Sequence, residues 1–553
     1  MKVMQESTIM EDMRDLVARG LKRSSIQSCS RWAESYRILK NKPWKHDRYP
    51  WLRSIQDAGS RLVIGQKAAQ IGYTEAALNK TFYKIDIEKV DCLYVLPSEN
   101  DASDFSSGRF DPALDESEHL RKMFSDVNNV GLKRAGNSTL YVRGGKSRSR
   151  LKSIPTGFIV LDEIDEMPEE NIPLVLERSS GQEIKQCMMI STPTIHGHGI
   201  NKFYLRSTME HFFFECPCCG RQIELNFPDN VNITAESVTD KRLLDSFYFC
   251  NLCKGRLEHA DKANWLSTGK FVAEFPDRAN RGFSVNQMYS PTIEPWELVE
   301  SYLKSLYDPT EEQEFFNSKL GKTHIVGDSR VSAENIERCT GNYMKGDTFT
   351  SPVITMGIDV GAKWHYEIDE WHMKGKPNTT LDVNDVFIPR LMVEGEIDLH
   401  DGVVEILKLL ARYNVKGCVI DRHPETYAVY KITSRLPGRV YACMFGRGMN
   451  GRRITIGSDD DQMMTVDRTS WFDCALGRVM AGKMSFPRNL SPTYRKHIQV
   501  PARMYTRDPN GNPVGKWISE TRHDHFALAR VYSEVALGVA LENVQPKNLE
   551  NVF

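Results

Sequence analysis

Residues 61–80 read RLVIGQKAAQIGYTEAALNK. An apolar run passes through a small-residue loop into an alanine-rich, helix-prone stretch, which is the outline of a buried strand feeding a crossover helix. The loop resembles a phosphate loop, G-x-x-x-x-G-K-[ST], whose backbone N–H groups and lysine cradle phosphates while its hydroxyl meets Mg²⁺. Here it closes on Gly72-Tyr73-Thr74 without a lysine before the threonine, and a lysine instead opens it at Lys67. Thr74 keeps a hydroxyl at a helix N-terminus, where the dipole favours phosphate. An ordinary strand–turn–helix joint shares this outline, so the loop needs a partner.

That partner stands about ninety residues on, in GFIVLDEIDEMP at 157–168, a buried-strand run ending in Asp162-Glu163. Beside a phosphate loop, one carboxylate holds Mg²⁺ and the next polarises the attacking water. A further apolar strand, QCMMISTPT, places Ser191-Thr192-Pro193 at its end and fits a sensor of hydrolysis. Short apolar runs alternate with helical patterns from Arg61 to about Ile195 and again from about 350, as in α/β sheets.

Between these halves the chain reads CPCCG at 216–220 and CNLC at 250–253. Cys216, Cys219, Cys250 and Cys253 supply four thiolates in two tight turns, the arrangement of a closed, structural Zn²⁺ site. Cys218 leaves the register of the first turn open. The other seven cysteines are scattered, as suits reduced thiols in a cytosol.

The second α/β pattern carries acids at strand and helix ends. Asp359 ends ITMGID, Asp421 ends GCVIDR, and Asp524 precedes the helical run HFALARVYSEVAL. Converging carboxylates that hold one or two Mg²⁺ or Mn²⁺ ions are what ribonuclease H-type phosphodiester cleavage requires. His525 and Glu520 are further candidates. His365, Glu367, Asp369, Glu370 and His372 form a competing cluster, and Asp359 is preferred because it ends the apolar run.

The remaining features set limits. The 553 residues, 40% hydrophobic and 26% charged, suit about three domains and exclude a disordered or collagen-like chain. No apolar run approaches a membrane span, and the N-terminus lacks a secretory pattern. Net charge is −1, yet three stretches are basic and acid-free: 131–157, 430–458 and the segment between Asp473 and Asp508. Together they point to a polyanion.

The displaced lysine in KAAQIGYT, followed by VLDEID and ISTPT, resembles the large terminase subunit of tailed bacteriophages, in its lambda-type branch. The resemblance covers about 30–540. It implies an α/β chain with a P-loop (ASCE-type) ATPase domain, a ribonuclease H-like nuclease domain and a small zinc-ribbon-like insertion. It implies that Lys67 contacts the β/γ-phosphates of ATP, that Thr74 and Asp162 hold Mg²⁺, that Glu163 is the catalytic carboxylate, and that Gln56 reads adenine. Asp359, Asp421 and Asp524 match the nuclease metal ligands. An arginine finger is expected among Arg143, Arg148, Arg150 and Arg178. The implied partners are double-stranded viral DNA, a small terminase subunit and the portal of a procapsid, met as a homo-oligomeric ring in the host cytoplasm. The expected limits are a lead-in at 1–55, an ATPase core at 56–210, a cysteine-rich insertion at 211–260, a helical remainder at 261–345 and a nuclease domain at 346–545. The alternatives are a zinc-containing helicase or translocase without nuclease activity, and a non-enzymatic DNA-binding protein with decayed motifs.

Overall fold

In the computed structural model, residues 28–125, 127–152, 154–326, 329–347, 350–373, 386–446, 454–456, 462–507, 513–519 and 523–544 are described. Glu520, Arg447, Arg452 and Arg453 lie outside them, as does most of the first half of the expected lead-in. The chain divides into two compact units, 1–324 and 325–553. The division falls about twenty residues before the expected boundary at 345/346.

In the first unit, strand β1 (Leu62–Lys67) forms where the apolar run predicts it and is buried almost throughout. It enters helix α1 (Tyr73–Asp86) through Gly72, whose φ of 88° is left-handed and suits glycine. Strands β2 (Cys92–Leu96), β3 (Ser138–Gly144), β4 (Phe158–Asp162), β5 (Gln186–Ser191), β6 (Glu210–Glu215) and β7 (Arg281–Val285) complete a parallel sheet in the order β6-β7-β1-β5-β4-β2-β3. The near-continuous buried runs of β1, β2, β4 and β5 are those of strands covered on both faces. Short antiparallel strands extend both edges.

This order corrects two sequence boundaries. Strand β6 lies at the start of the expected insertion, and β7 lies inside the expected helical remainder. Both pair into the main sheet, with β7 directly beside β1. The sheet therefore continues past the cysteine segment. No local pattern reveals this, because β7 and its partner β1 are more than 200 residues apart.

In the second unit, strands β8 (Ile354–Asp359), β9 (Lys363–Met373) and β10 (Phe387–Asp398) form an antiparallel meander. Strands β11 (Gly417–Asp421), β12 (Val440–Gly446) and β13 (Met463–Asp467) add in parallel on the other side of β8. Helix α2 (His525–Glu542) is apolar nearly all round and is buried accordingly. It lies directly on β8 and β11. A Cβ at Gly357 would strike the Ala529 carbonyl oxygen, and one at Gly417 would strike that of Ala536. Glycine at these two positions lets the helix approach, and its first turn thereby comes to the C-terminal ends of the two strands.

Candidate nucleotide and metal sites

Each residue of the first site stands at an element's end. Lys67 closes β1, Thr74 opens α1, Asp162 closes β4 and Ser191 closes β5. In this sheet order β5 lies between the loop strand and the acid strand, so all four residues meet at one edge. Lys67 Nζ lies 2.7 Å from Glu163 Oε1. Ser191 Oγ donates to Glu163 Oε2 at 3.3 Å, so the end of β5 is in touch with the acid that follows β4. Glu163 itself has φ of 56°, a left-handed conformation unusual for a residue with a side chain and common where function imposes it.

Asp162 is buried and fits a cation. Tyr94 Oη donates to its Oδ2 at 2.7 Å, while Oδ1 is buried without a hydrogen-bond partner. Burial first, then the neighbouring Glu163, push its carboxyl up to about 6, against the lowering effects of Lys67, Tyr94 and Thr74. A buried carboxylate with a free oxygen beside a threonine hydroxyl is a donor set suited to Mg²⁺.

Lys67, Thr74 and Glu163 open onto a cavity of about 720 Å³, within the range of small-molecule sites. Lys67, the loop 68–74, Glu163 and Thr192 line one part of it. Residues 39–49, read from sequence as a lead-in, line much of the rest, including Lys40, Lys42, Lys45, Arg48 and Tyr49. Beneath the loop, Trp51 Nε1 donates to the Ile71 carbonyl at 3.0 Å.

Three sequence expectations change here. Gln56 does not line the cavity. It is buried and its Oε1 bonds His46 Nε2 at 2.8 Å, because its helix turns that face into the core. None of Arg143, Arg148, Arg150 and Arg178 lines the cavity either, whereas Arg109 does. Arg143 donates to the Val142 carbonyl, and Arg150 pairs with Glu99. The first basic stretch is also less free than its composition indicates, since Lys133 is buried on Asp111. Asp165 was not singled out from sequence. It accepts hydrogen bonds from the N–H and hydroxyl of Thr194 and from the Ile200 N–H, fixing the turn after the sensor strand.

The thiolates of Cys216, Cys219, Cys250 and Cys253 all lie within 4.8 Å of one another, with Cys216 and Cys253 3.9 Å apart. Tetrahedral Zn²⁺ with Zn–S near 2.3 Å needs sulfurs roughly 3.8 Å apart. Backbone N–H groups point at sulfur in both turns: Cys218 N–H at Cys216 Sγ and Gly255 N–H at Cys253 Sγ, both at 3.4 Å. Cys218 is exposed and lies outside the cluster.

In the second unit Asp359 ends β8, Asp421 ends β11 and Asp524 is the residue before α2. Asp359 is pushed up to about 6, chiefly by burial and further by the charges of Asp421 and Asp524, while His525 opposes the shift. The three acids thus share one electrostatic site. His525 Nδ1 lies 2.7 Å from Asp359 Oδ2, and Ser519 Oγ donates to Asp524. Arg468 feels all three carboxylates while its guanidinium lies over the Phe445 and Phe472 rings. The competing cluster separates cleanly. Glu367 and Asp369 pair with buried Arg530, Glu370 pairs with Arg390, and His365 stands opposite Asp359 across the β8–β9 hairpin.

Residues 40–271 match the family model described as phage terminase large subunit gpA, ATPase domain. The chain is 25% identical over 407 residues to the terminase large subunit of Escherichia phage lambda, covering 65% of this chain and 63% of that protein. It is 24% identical over 342 residues to the terminase large subunit of Enterobacteria phage P21, covering 55% and 52%. The aligned part therefore spans about three-fifths and about half of these two relatives. The crystal structure of the HK97 bacteriophage large terminase has a similar fold, with a TM-score of 0.50 at 12% identity over 92% of this chain and 98% of that one. Among the described residues no helix is long and apolar enough to cross a membrane. The resemblance read from the loop, the acid strand and the sensor strand agrees with these comparisons: this chain is similar to the large terminase subunits of phages lambda and P21, and residues 40–271 carry the match to the gpA ATPase domain.

Proposed function

We propose that the chain hydrolyses ATP to drive double-stranded viral DNA into a procapsid and cuts concatemeric genomes with a second, metal-dependent site. The observation that carries the reading is the meeting of Lys67, Thr74 and Glu163 at one cavity, with Asp162 buried beside Thr74 and Glu163, in a chain whose other unit sets Asp359 within electrostatic reach of Asp421 and Asp524.

In the first unit, Lys67 and the loop N–H groups would bind the β/γ-phosphates, and residues 39–49 would cover the nucleoside. Thr74 and Asp162 would hold Mg²⁺, which supplies charge neutralisation at the transferring phosphoryl group. Glu163 would then accept a hydrogen bond from water and orient it, with Ser191 registering the change. In the second unit, the strand order β10-β9-β8-β11-β12 supports the ribonuclease H-like reading. Asp359, Asp421 and Asp524 would hold Mg²⁺ or Mn²⁺ there, a metal that activates water and stabilises the leaving oxygen. Cys216, Cys219, Cys250 and Cys253 would hold a structural Zn²⁺. The partners that accompany this reading are a small terminase subunit, the portal and further copies of this chain in a ring, in the host cytoplasm.

The test is incubation of the purified protein with supercoiled plasmid and Mg²⁺ or Mn²⁺, beside Asp421→Ala. Nicking that is lost in the variant while ATP hydrolysis persists supports both activities. Cleavage that persists in Asp421→Ala removes the nuclease site from this reading.

A further inference from the structure

The second of the basic, acid-free stretches has no part in the sites described so far. It begins within the helix Thr426–Thr433, which a four-residue turn joins to Asp421 at the end of β11. The inward residues Val429 and Ile432 pack with Val440 and Ala442 of β12. The outward residues fall at helical spacing: Tyr427, Tyr430, Lys431 and Ser434, with Arg435 beside them, are all exposed. Tyr427 is 71% exposed and Tyr430 62%. Residues three apart on a helix have Cβ atoms roughly 5–6 Å apart, so the two phenols share one face. Lys431 Nζ lies over the Tyr427 ring, 4.4 Å from its centroid. From Thr426 to Gly446 the chain carries Lys431, Arg435 and Arg439 and no acid. Arg439 is turned onto the Val415 and Leu410 carbonyls, which leaves Lys431 and Arg435 to the exposed face.

Two tyrosines held in solvent add nothing to the core. A protein partner would use them as aromatic anchors, but interface centres are depleted in lysine, and here a lysine rests on one of the rings. Flat rings interleaved with cations, in a stretch without acids, suit a nucleic-acid strand instead. A duplex keeps its bases stacked on one another and presents phosphates and groove edges. An unpaired strand offers the faces of its bases to a ring. We propose that Tyr427, Tyr430, Lys431 and Arg435 dock an unpaired segment of DNA beside Asp421, the rings stacking on bases and the two cations meeting phosphates. The contact of Lys431 with Tyr427 restricts both side chains beforehand and so lowers the entropy cost of docking. The inference rests on the nuclease reading for the role of Asp421 and deepens it by naming the form of DNA that this face takes.

The experiment uses the full chain as purified, with no added divalent cation, so that nothing is cut. The probe is a single strand of about 20 nucleotides, longer than a typical single-strand site, with fluorescein at one end and 5-iodo-deoxyuridine along its length. The matching duplex is the control. Anisotropy reads affinity, and irradiation crosslinks iodouracil to a ring that it stacks on, which peptide mapping locates. Crosslinks at Tyr427 or Tyr430 are expected in the wild type. Tyr427→Ala combined with Tyr430→Ala should weaken the single strand tenfold or more and the duplex about twofold or less. Tyr427→Phe combined with Tyr430→Phe should bind the single strand like wild type, because the ring and not the hydroxyl makes the contact. The wild-type crosslink stands without any variant, so a misfolded alanine pair does not blunt the test. Crosslinks found only away from this helix overturn the proposal, as does an equal loss on single strand and duplex, or an equal loss in the phenylalanine pair. An alanine pair that alters the sedimentation of the chain and leaves both DNA affinities unchanged makes the face a contact between copies and overturns it too. Any of these results beside plasmid nicking that depends on Asp421 leaves the nuclease reading intact. Crosslinked Tyr427 or Tyr430 in a chain that never nicks plasmid keeps the face and removes the nuclease reading.

Discussion

Lys67 Nζ and Glu163 Oε1 are 2.7 Å apart, so the lysine of the phosphate loop is paired with the carboxylate that would orient water. The pair sits at the cavity wall, where Lys67 is almost buried and Glu163 is 40% exposed. A triphosphate entering this cavity offers Lys67 a stronger anionic partner and frees Glu163 for water. Glu163→Gln keeps the shape and removes the base. It is expected to lower ATP turnover a hundredfold or more, with binding of a fluorescent ATP analogue retained or tightened. Lys67→Ala is expected to lose the binding itself. Equal loss of binding in both variants would falsify these roles.

Arg109 reaches the same cavity and lies 3.4 Å from Glu75 in the first turn of α1. Its side chain is 55% exposed, free to swing towards an incoming phosphate. Arg109→Ala should reduce the steady-state ATPase rate by about tenfold or more, the scale of one lost transition-state contact. Arg150→Ala, which breaks only a pair with Glu99, should leave the rate near wild type. The two rates, measured side by side, show whether the cavity-facing arginine is the one that matters.

Much of this arrangement is legible before any coordinates. Lys67, Thr74, Asp162 and Glu163 each belong to a short local pattern, and a strand's end or a helix's start fixes where such residues point. Asp359, Asp421 and Asp524 are legible for the same reason. The place of Gln56 is not legible, because a buried glutamine and an exposed one look alike in sequence and only the packing of its helix on His46 decides between them. Arg109 and residues 39–49 escaped because they join the cavity through tertiary contact, with no motif of their own. In sequence His365 stands in a polar alternation, whereas Asp359 ends an apolar run. Their meeting depends on strand register, which pairs them across a tight turn.

The four-cysteine cluster makes its own demand. Its two turns flank short strands whose buried side chains, such as Tyr248 and Leu257, join the first unit's core, and the metal would add to that stability by tying the turns together. One zinc per chain is expected by elemental analysis. Cys250→Ser, at a fully buried ligand, should lose it and open residues 216–257 to protease. Cys218→Ser should keep the full zinc content, because that thiol lies outside the cluster. Zinc lost equally from both variants would reassign the ligands.

Asp359 links function to stability with a definite sign. Its carboxyl is raised from 3.8 to about 6, mainly by burial. The folded chain therefore binds this proton more tightly than the unfolded chain does. Stability from this group is fully present below about pH 4 and is lost as pH rises through 6. A shift of roughly two units corresponds to at most about 3 kcal/mol, and His525, which favours the ionised form, is already counted within it. Asp359→Asn removes the charge while leaving an oxygen to accept from His525. With no added divalent cation, the variant is expected to be more stable than wild type by about 1–3 kcal/mol at pH 8. At pH 4 it should show no gain. Added Mn²⁺ should narrow the difference at pH 8, since it compensates the buried charge only where Asp359 is present. Denaturant melts followed by tryptophan fluorescence at the two pH values check the claim, and equal stabilities at pH 8 would show that the carboxylate is not held under strain.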